Sequence, residues 1–282
     1  MKGGKGNGGV KTALGYSEPV EARPFTRLGE DRSEQLEAPI ANEVPVALVY
    51  NGKPYAVMMC TPADLDDFAI GFTVSEKIAT HAEIGRVEVV RYARGIELQL
   101  EISPDAATQL AERGRAISGR TGCGLCGVET IAEALRDPAP VRSALTVARE
   151  AIFRAGEALD ALQPLNRETN AIHAAAWATA DGTLEIVRED VGRHNALDKV
   201  IGALARARQG GDPSDGFLIV TSRASYELVQ KAAAANIPML AAVSRPTGLA
   251  VEIAEEAGIT LVGLLRGRSA NVYTHPERIR TE

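Results

Sequence analysis

Cys123 and Cys126 are the residues of this chain whose type and spacing speak most directly of chemistry. They sit in the run Gly122-Cys123-Gly124-Leu125-Cys126-Gly127, and the third cysteine, Cys60, lies far upstream. Three cysteines cannot supply a four-thiolate zinc site, and they are too few for a disulfide scaffold in a chain of 282 residues. A Cys-x-x-Cys pair standing by itself serves as a redox dithiol, as half of a metal site or as a carrier of persulfide sulfur. The flanking glycines remove side-chain cover and open backbone angles closed to other residues, which predicts an exposed loop and reactive sulfur. Arg120 precedes the pair, and a helix is predicted just after it, over 128–135. Positive charge and a helix amino terminus both stabilise a thiolate. A thioredoxin-like motif belongs in a βαβ setting, and the residues before Arg120 are not strand-like. Cys60, in a predicted strand, reads as a small buried apolar residue.

A zinc deaminase is a rival reading. Such enzymes use H-x-E followed by P-C-x-x-C, with His and two Cys on zinc and Glu moving protons. His81-Ala82-Glu83 and then Cys123 and Cys126 occur in that order. Gly122 stands where the proline belongs, however. His81 also falls just past the carboxyl end of a predicted helix, where a histidine serves as a cap.

Polar function is concentrated again in Arg188-Glu189-Asp190-Val191-Gly192-Arg193-His194-Asn195, between a predicted strand and helix. Asn195 is expected to cap that helix and Asp198 to support its first turn. Gly192, Arg193 and His194 could bring backbone N–H groups, a cation and an imidazole to one anion. Three further clusters each follow a predicted strand: Ser222-Arg223, Ser244-Arg245-Pro246-Thr247 and Arg266-Gly267-Arg268-Ser269. Arg, Ser and helix amino termini converging at one sheet edge suit phosphate groups. Neither G-x-x-x-x-G-K-[ST] nor G-x-G-x-x-G occurs, so an ordinary nucleotide hydrolase or dehydrogenase is unsupported.

These residues need elements to position them. Residues 1–38, rich in Gly, Pro and alternating charge, read as a flexible tail, with order expected from near Val44. Runs at 44–50 and 55–60 flank Asn51-Gly52, a tight-turn dipeptide, and predict a β-hairpin. Thr61-Pro62 is expected to open a helix reaching about Lys77, with Leu65, Phe68, Ala69 and Phe72 on one face. A second hairpin is predicted from 87–92 and 96–102. A short helix over 106–113 leads into the cysteine loop, a helix over 146–159 follows, and Pro164 marks a loop. Residues 174–180 and 184–188 flank Asp181-Gly182 as another hairpin, followed by a helix over 195–206. Strand, helix, strand, helix and strand then alternate over 217–221, 225–235, 239–243, 247–257 and 259–264. Such alternation implies parallel strands with right-handed crossovers, and ligands at their carboxyl ends. The expected class is α/β, with a hairpin-bearing α/β part over 39–145 and a βα-repeating part over 146–282.

Composition narrows the function classes. The chain is 45% hydrophobic and 24% charged, ordinary for a globular protein, and its formal net charge of −6 argues against binding to nucleic-acid backbone. Most of the 31 basic residues are arginine; arginine suits bidentate phosphate recognition, although composition bias produces the same excess. The first twenty residues carry no apolar signal-like stretch and no apolar run reaches membrane-spanning length. A cytoplasmic protein without a membrane partner is expected.

TGCGLCGVE, REDVGRHNALDKVIG, SRASYELVQKAA, SRPTGLAVEIAEEAGITLVG and NVYTHPERI closely resemble the FdhD family of formate dehydrogenase accessory sulfurtransferases. NEVPVALVYNG and MCTPADLDDFAIGFTVSEKI upstream match it too, so the resemblance runs from about residue 40 onwards. It implies a cytidine-deaminase-like three-layer core, a homodimer and sulfurtransferase activity. Sulfur would come from a cysteine desulfurase as a persulfide and pass to the bis-molybdopterin guanine dinucleotide (molybdenum) cofactor, bound as substrate, for the catalytic subunit of formate dehydrogenase. By the same resemblance Cys123 is the persulfide cysteine and Cys126 its partner, with no catalytic metal. The cofactor-binding stretch falls on Leu264, Leu265, Arg266, Gly267, Arg268 and Ser269; many members have Phe-Cys at the first two positions. His194, Asn195 and Arg223, at neighbouring strand ends, join that set. The alternatives are a cofactor-binding chaperone that carries no sulfur, and the zinc deaminase.

Overall fold

The computed structural model describes residues 18–115, 138 and 140–281. Cys123, Cys126, Arg120 and the helix expected over 128–135 lie outside the described residues.

Order begins earlier than composition implies. Val20–Leu28 (β1) and Ser33–Ala41 (β2) form an antiparallel hairpin, with Val20 opposite Ala41. The expected flexible tail therefore gives way to strand from Val20. Charged side chains mask the alternation there: Glu34, Leu36 and Ala38 are half-buried while their neighbours face water.

Val44–Tyr50 (β3) and Lys53–Cys60 (β4) pair as the sequence predicts, around Asn51 and Gly52, both at positive φ (47° and 77°). The next helix, Leu65–Ser75 (α1), starts later than expected because Asp64 adopts a left-handed conformation at its amino end. Thr61 is recruited elsewhere. Ile84–Tyr92 (β5) and Gly95–Ile102 (β6) complete a four-stranded sheet in the order β4-β3-β6-β5. Phe68 and Phe72 of α1 close one face of it against Val46, Leu48, Leu98 and Leu100, burial that contributes about 1.5–3 kcal/mol per large side chain. Cys60 is fully buried in this core, and burial pushes its thiol well above the usual range. Pro104–Arg115 (α2) follows.

The second unit begins with Val147–Ala148 (β7), Arg149–Ala161 (α3) and Pro164–Thr169 (α4), the last a short helix where a loop is predicted. Then come His173–Thr179 (β8), Leu184–Asp190 (β9), Arg193–Ala207 (α5), Gly216–Val220 (β10), Tyr226–Ala234 (α6), Met239–Ala242 (β11), Gly248–Ala257 (α7), Thr260–Arg266 (β12) and Ser269–Val272 (β13). Ile279–Arg280 (β14) pairs with β7. The sheet order is β13-β12-β11-β10-β8-β9. Strands β10, β11 and β12 are parallel, as their alternation with helices predicts, while β8 and β13 run antiparallel to them and β9, antiparallel to β8, runs in their direction. Helices α5, α6 and α7 cover one face through Leu197, Val200, Leu228 and Ala254. Ile152, Ala155 and Leu159 of α3 cover the other, against Ile219 and Val262. The result is a three-layer α/β arrangement.

The two units are joined by α1 against α5. A Cβ on Gly71 would fall inside the carbonyl oxygen of Asp198, and one on Gly202 inside that of Asp67. The backbones thus touch, and only glycine fits. Charge flanks this crossing on both sides. The nearly buried Asp67 accepts from Arg188 and Arg206, each at 2.7 Å. Buried Asp198 accepts from Ser75 at 2.6 Å and from Lys231 at 3.0 Å, and Glu76 adds a 2.8 Å contact to Lys231. Asp198 is therefore buried at the crossing rather than placed to support a first helical turn, as the sequence implied. Burial pushes its carboxyl upward against the pull of Lys231. Burial works to lower the Lys231 ammonium, but Asp198 and Glu76 outweigh it and hold the pKa above the usual range.

Gly202→Ala must push two backbones apart, so a loss of about 3 kcal/mol is expected, at the upper end of overpacking costs. The urea midpoint of the full chain checks this. Lys231→Met strands the Asp198 carboxylate and is expected to cost about 3–5 kcal/mol at pH 8. A carboxyl with a raised folded pKa takes up a proton more readily folded than unfolded, so the deficit should shrink as pH falls towards 5. Urea unfolding of both proteins at the two pH values measures it.

Candidate functional site: a polar rim on the larger sheet

Parallel β10, β11 and β12 all end at one edge of the six-stranded sheet. Because β8 is antiparallel to β10, with Ala175 opposite Val220, its first residues lie at that same edge. The carboxyl end of β9 joins them, with His173 opposite Asp190. The polar clusters named from sequence are thereby gathered on one rim: Arg193 and His194 after β9, Ser222 and Arg223 after β10, Ser244 and Arg245 after β11, and Arg266 at the end of β12. Arg223, Arg245 and Arg266 are exposed and form no ion pair among the described residues. Four strand intervals separate β12 from β9, about 19 Å at the usual spacing.

The β9–α5 corner is built around Asp190, which is fully buried. Its Oδ2 lies 2.7 Å from Lys199 Nζ and accepts from the Thr61 amide at 3.0 Å; its Oδ1 accepts from the Gly192 amide at 2.8 Å and from Asn195 Nδ2 at 2.9 Å. Lys199 also donates to the Thr61 and Glu189 carbonyls. Asn195 donates to the Met59 carbonyl as well and is buried. It does not cap α5, whose N-cap is Gly192. The cofactor role expected of Asn195 thus meets a side chain committed inside the fold. Glu189 turns the other way, accepting from the Leu165 and Asn166 amides at the start of α4. Much of the polar block named from the sequence is therefore a buried clamp between the two units.

At the other end of the rim, Leu264 has φ 54° and its amide donates to the Ser244 carbonyl at 3.0 Å. This break in the β12–β13 register turns Leu265 into the core, 3% exposed against Gly156. Leu265 is accordingly a packing residue, correcting its place in the expected binding stretch. Arg266, Gly267, Arg268 and Ser269 form an exposed hairpin tip, with Gly267 at φ 53° and the Arg268 guanidinium 6.0 Å from the Phe153 ring centroid.

Three rim residues lacked a sequence signal. Glu227 Oε2 on α6 lies 2.6 Å from His194 Nε2, at ion-pair distance but without the alignment of a regular hydrogen bond. Ser225, the N-cap of α6, makes no side-chain capping bond. Half-buried His173 faces the same corner; burial, then Arg193 and His194, hold its imidazole below the usual histidine pKa. Sequential distance hid this grouping, since strand pairing alone brings residue 173 to residue 193.

The opposite edge of the fold holds a cleft of about 600 Å³ lined by Val74, His81, Glu83, Gln109, Leu204 and Asn236, among others. His81 opens a short 3-10 turn on its wall. Gln109 belongs to α2, the helix from which the chain runs towards Cys123. Among the described residues no three or more His, Cys, Asp or Glu side chains are grouped to hold a metal, and no helix is long and apolar enough to cross a membrane.

Fold and rim define a three-layer α/β protein with an arginine-rich sheet edge, in a chain that also carries a glycine-flanked Cys-x-x-Cys. Residues 41–280 match the FdhD/NarQ family, and the chain belongs to that family. It is 53% identical over 249 residues to the sulfur carrier protein FdhD of Xanthomonas euvesicatoria pv. vesicatoria (strain 85-10), covering 88% of each chain. With the sulfur carrier protein FdhD of Cupriavidus necator the identity is 50% over 273 residues, 96% of this chain and 94% of the other. A crystal structure from Desulfotalea psychrophila, described as that of a formate dehydrogenase accessory protein, superposes with a TM-score of 0.75 at 24% identity. It covers 93% of this chain and 100% of its own, a likeness of fold.

Asp190→Ala would leave the Lys199 ammonium buried without its carboxylate. A stability loss of about 3–5 kcal/mol is expected, read by urea denaturation, with faster amide exchange at Thr61 and Gly192 than elsewhere.

Proposed function

We propose that this chain is a sulfur carrier for formate dehydrogenase maturation. The observation that carries this reading is the glycine-flanked Cys123/Cys126 pair in a chain half-identical to proteins named as sulfur carriers. In this reading a cysteine desulfurase is the donor. The Cys123 thiolate attacks the terminal sulfur of the donor's persulfide, the donor's thiolate leaves, and the sulfur stays on Cys123 as a new persulfide. Cys126 assists on the same loop. A persulfide is more nucleophilic than its thiol at neutral pH, which suits it to hand sulfur on.

The acceptor in this reading is the bis-molybdopterin guanine dinucleotide cofactor, held as substrate for the formate dehydrogenase catalytic subunit. Arg223, Arg266, Gly267, Arg268, Ser269 and His194 would face its phosphates, with Leu264 shaping the hairpin that presents them. Residues 146–282 form the cofactor-binding part, residues 39–145 carry the cysteine loop, and the core is of the cytidine-deaminase kind. A cytoplasmic homodimer belongs to the same reading. The arginine rim also supports a second one, a chaperone that binds the cofactor and carries no sulfur.

Intact mass spectrometry after incubation with a cysteine desulfurase and cysteine separates the two. A gain of one sulfur is expected on the unmodified protein, reversed by reductant and lost in Cys123→Ala. Equal loading of Cys123→Ala would move the role to Cys126. No loading of either protein would leave the chaperone.

A further inference from the structure

A sheet covered on one face alternates apolar residues inward with polar residues outward. The four-stranded sheet obeys this on the side of α1, where Val46, Leu48, Ile96 and Leu98 are buried. On its outer face the rule holds at one end only. Gln99 and Glu101 of β6 and Arg86 and Glu88 of β5 are exposed there, the last two paired at 2.9 Å. At the other end the outward positions are apolar, in two rows across the four strands. Met59 is opposite Pro45 and Tyr92 opposite Gly95, with Gly95 against the Pro45 carbonyl. In the second row Val57 is opposite Ala47, Ala47 opposite Glu97, and Glu97 opposite Val90. Val57, Met59 and Tyr92 are 54%, 45% and 47% exposed. Glu97 is the single charged side chain in the rows. Its Oε2 accepts from the Tyr92 hydroxyl at 3.0 Å and from Gln99 Nε2 at 3.2 Å, and it forms no ion pair among the described residues. The patch adjoins the rim, because the Met59 carbonyl accepts from Asn195, two residues beyond Arg193.

We infer that this end of the outer sheet face is a docking point for the catalytic subunit of formate dehydrogenase, occupied while that subunit takes the cofactor from the neighbouring rim. This rests on the reading of that subunit as the receiver. Exposed apolar side chains grouped in this way mark interaction sites. Size then selects the kind of partner. Two rows about 7 Å apart on four strands about 4.8 Å apart cover roughly 260 Å². A stable interface buries about 800 Å² on each side, so the patch by itself does not hold a permanent second copy. It suits a partner that arrives and leaves, with the rim supplying further contact. Glu97 selects the chemistry: a fitting surface carries apolar side chains around one lysine or arginine, whose charge meets the carboxylate. Position selects the step. A protein seated on Val57, Met59 and Tyr92 lies beside the β9–α5 corner, so the cofactor passes between two surfaces already in contact.

Calorimetric titration of the full chain with the purified, cofactor-free catalytic subunit tests this, using Val57→Lys and Glu97→Gln, each checked for an unchanged melting temperature. Val57→Lys should weaken binding about tenfold or more, the effect of losing one apolar anchor. Glu97→Gln should weaken it several-fold and flatten its salt dependence. Sulfur loading by a cysteine desulfurase and the sedimentation coefficient should be unchanged in both variants. Binding of both variants at full strength would overturn the docking point and leave the sulfur-carrier reading standing. Loss of sulfur loading in Val57→Lys would overturn it by giving the face to the sulfur donor. A lower sedimentation coefficient would overturn it by giving the face to a second copy. An unmodified protein that does not bind the subunit would overturn both the docking point and the choice of receiver.

Discussion

The contact of α1 with α5 is the constraint on which the rest of this molecule depends. Two glycines let the helix backbones touch, and at that distance every neighbouring polar group must be placed with little tolerance. Asp67, Asp198 and Lys231 supply charge around the crossing, and Asp190 with Lys199 repeats the device at the end of β9. Buried ion pairs of this kind add little net stability, because desolvation offsets most of the Coulombic gain. They do penalise any other register. The crossing sets where β9 ends, and so where α5 begins and where Arg193 and His194 stand.

This dependence divides the polar block after β9 into two populations. Glu189, Asp190, Asn195, Asp198 and Lys199 face inward, and all but Glu189, which ties β9 to the start of α4, hold the two units together. Arg193 and His194 face the rim. The chain alternates between these tasks within a few residues, since a helix start presents successive side chains in different directions. One short segment thus fixes both the joint and the ligand edge, and strain at one is felt at the other.

How much of this the sequence discloses follows the range of the interactions concerned. The β3–β4 hairpin is legible because Asn51-Gly52 dictates its own turn, and the parallel strands β10 to β12 because a local helix separates each apolar run from the next. The joining of Arg193, Arg223, Arg245 and Arg266 on one edge follows from that alternation. What stays hidden is non-local. Nothing near Asp198 announces a lysine 33 residues on, and nothing near Leu265 announces the bulge that turns it inward. The β1–β2 hairpin escapes notice for the opposite reason, its faces being too polar to show a period. Asn195 misleads because the residue types that cap helices are also those that tie buried carboxylates.

The glycine crossing also bears on how the chain comes to exist at all. Asp67 waits for a partner 139 residues further along, at Arg206. At ordinary rates of synthesis that interval is about 7 to 28 s. Throughout it the side of α1 that carries Asp67 and Gly71 has been made but the α5 contact it closes against is incomplete. Residues 44–102 therefore emerge as a sheet covered by a helix whose outer side is bare, and the order of translation makes this the period in which the nascent chain is most exposed to wrong associations.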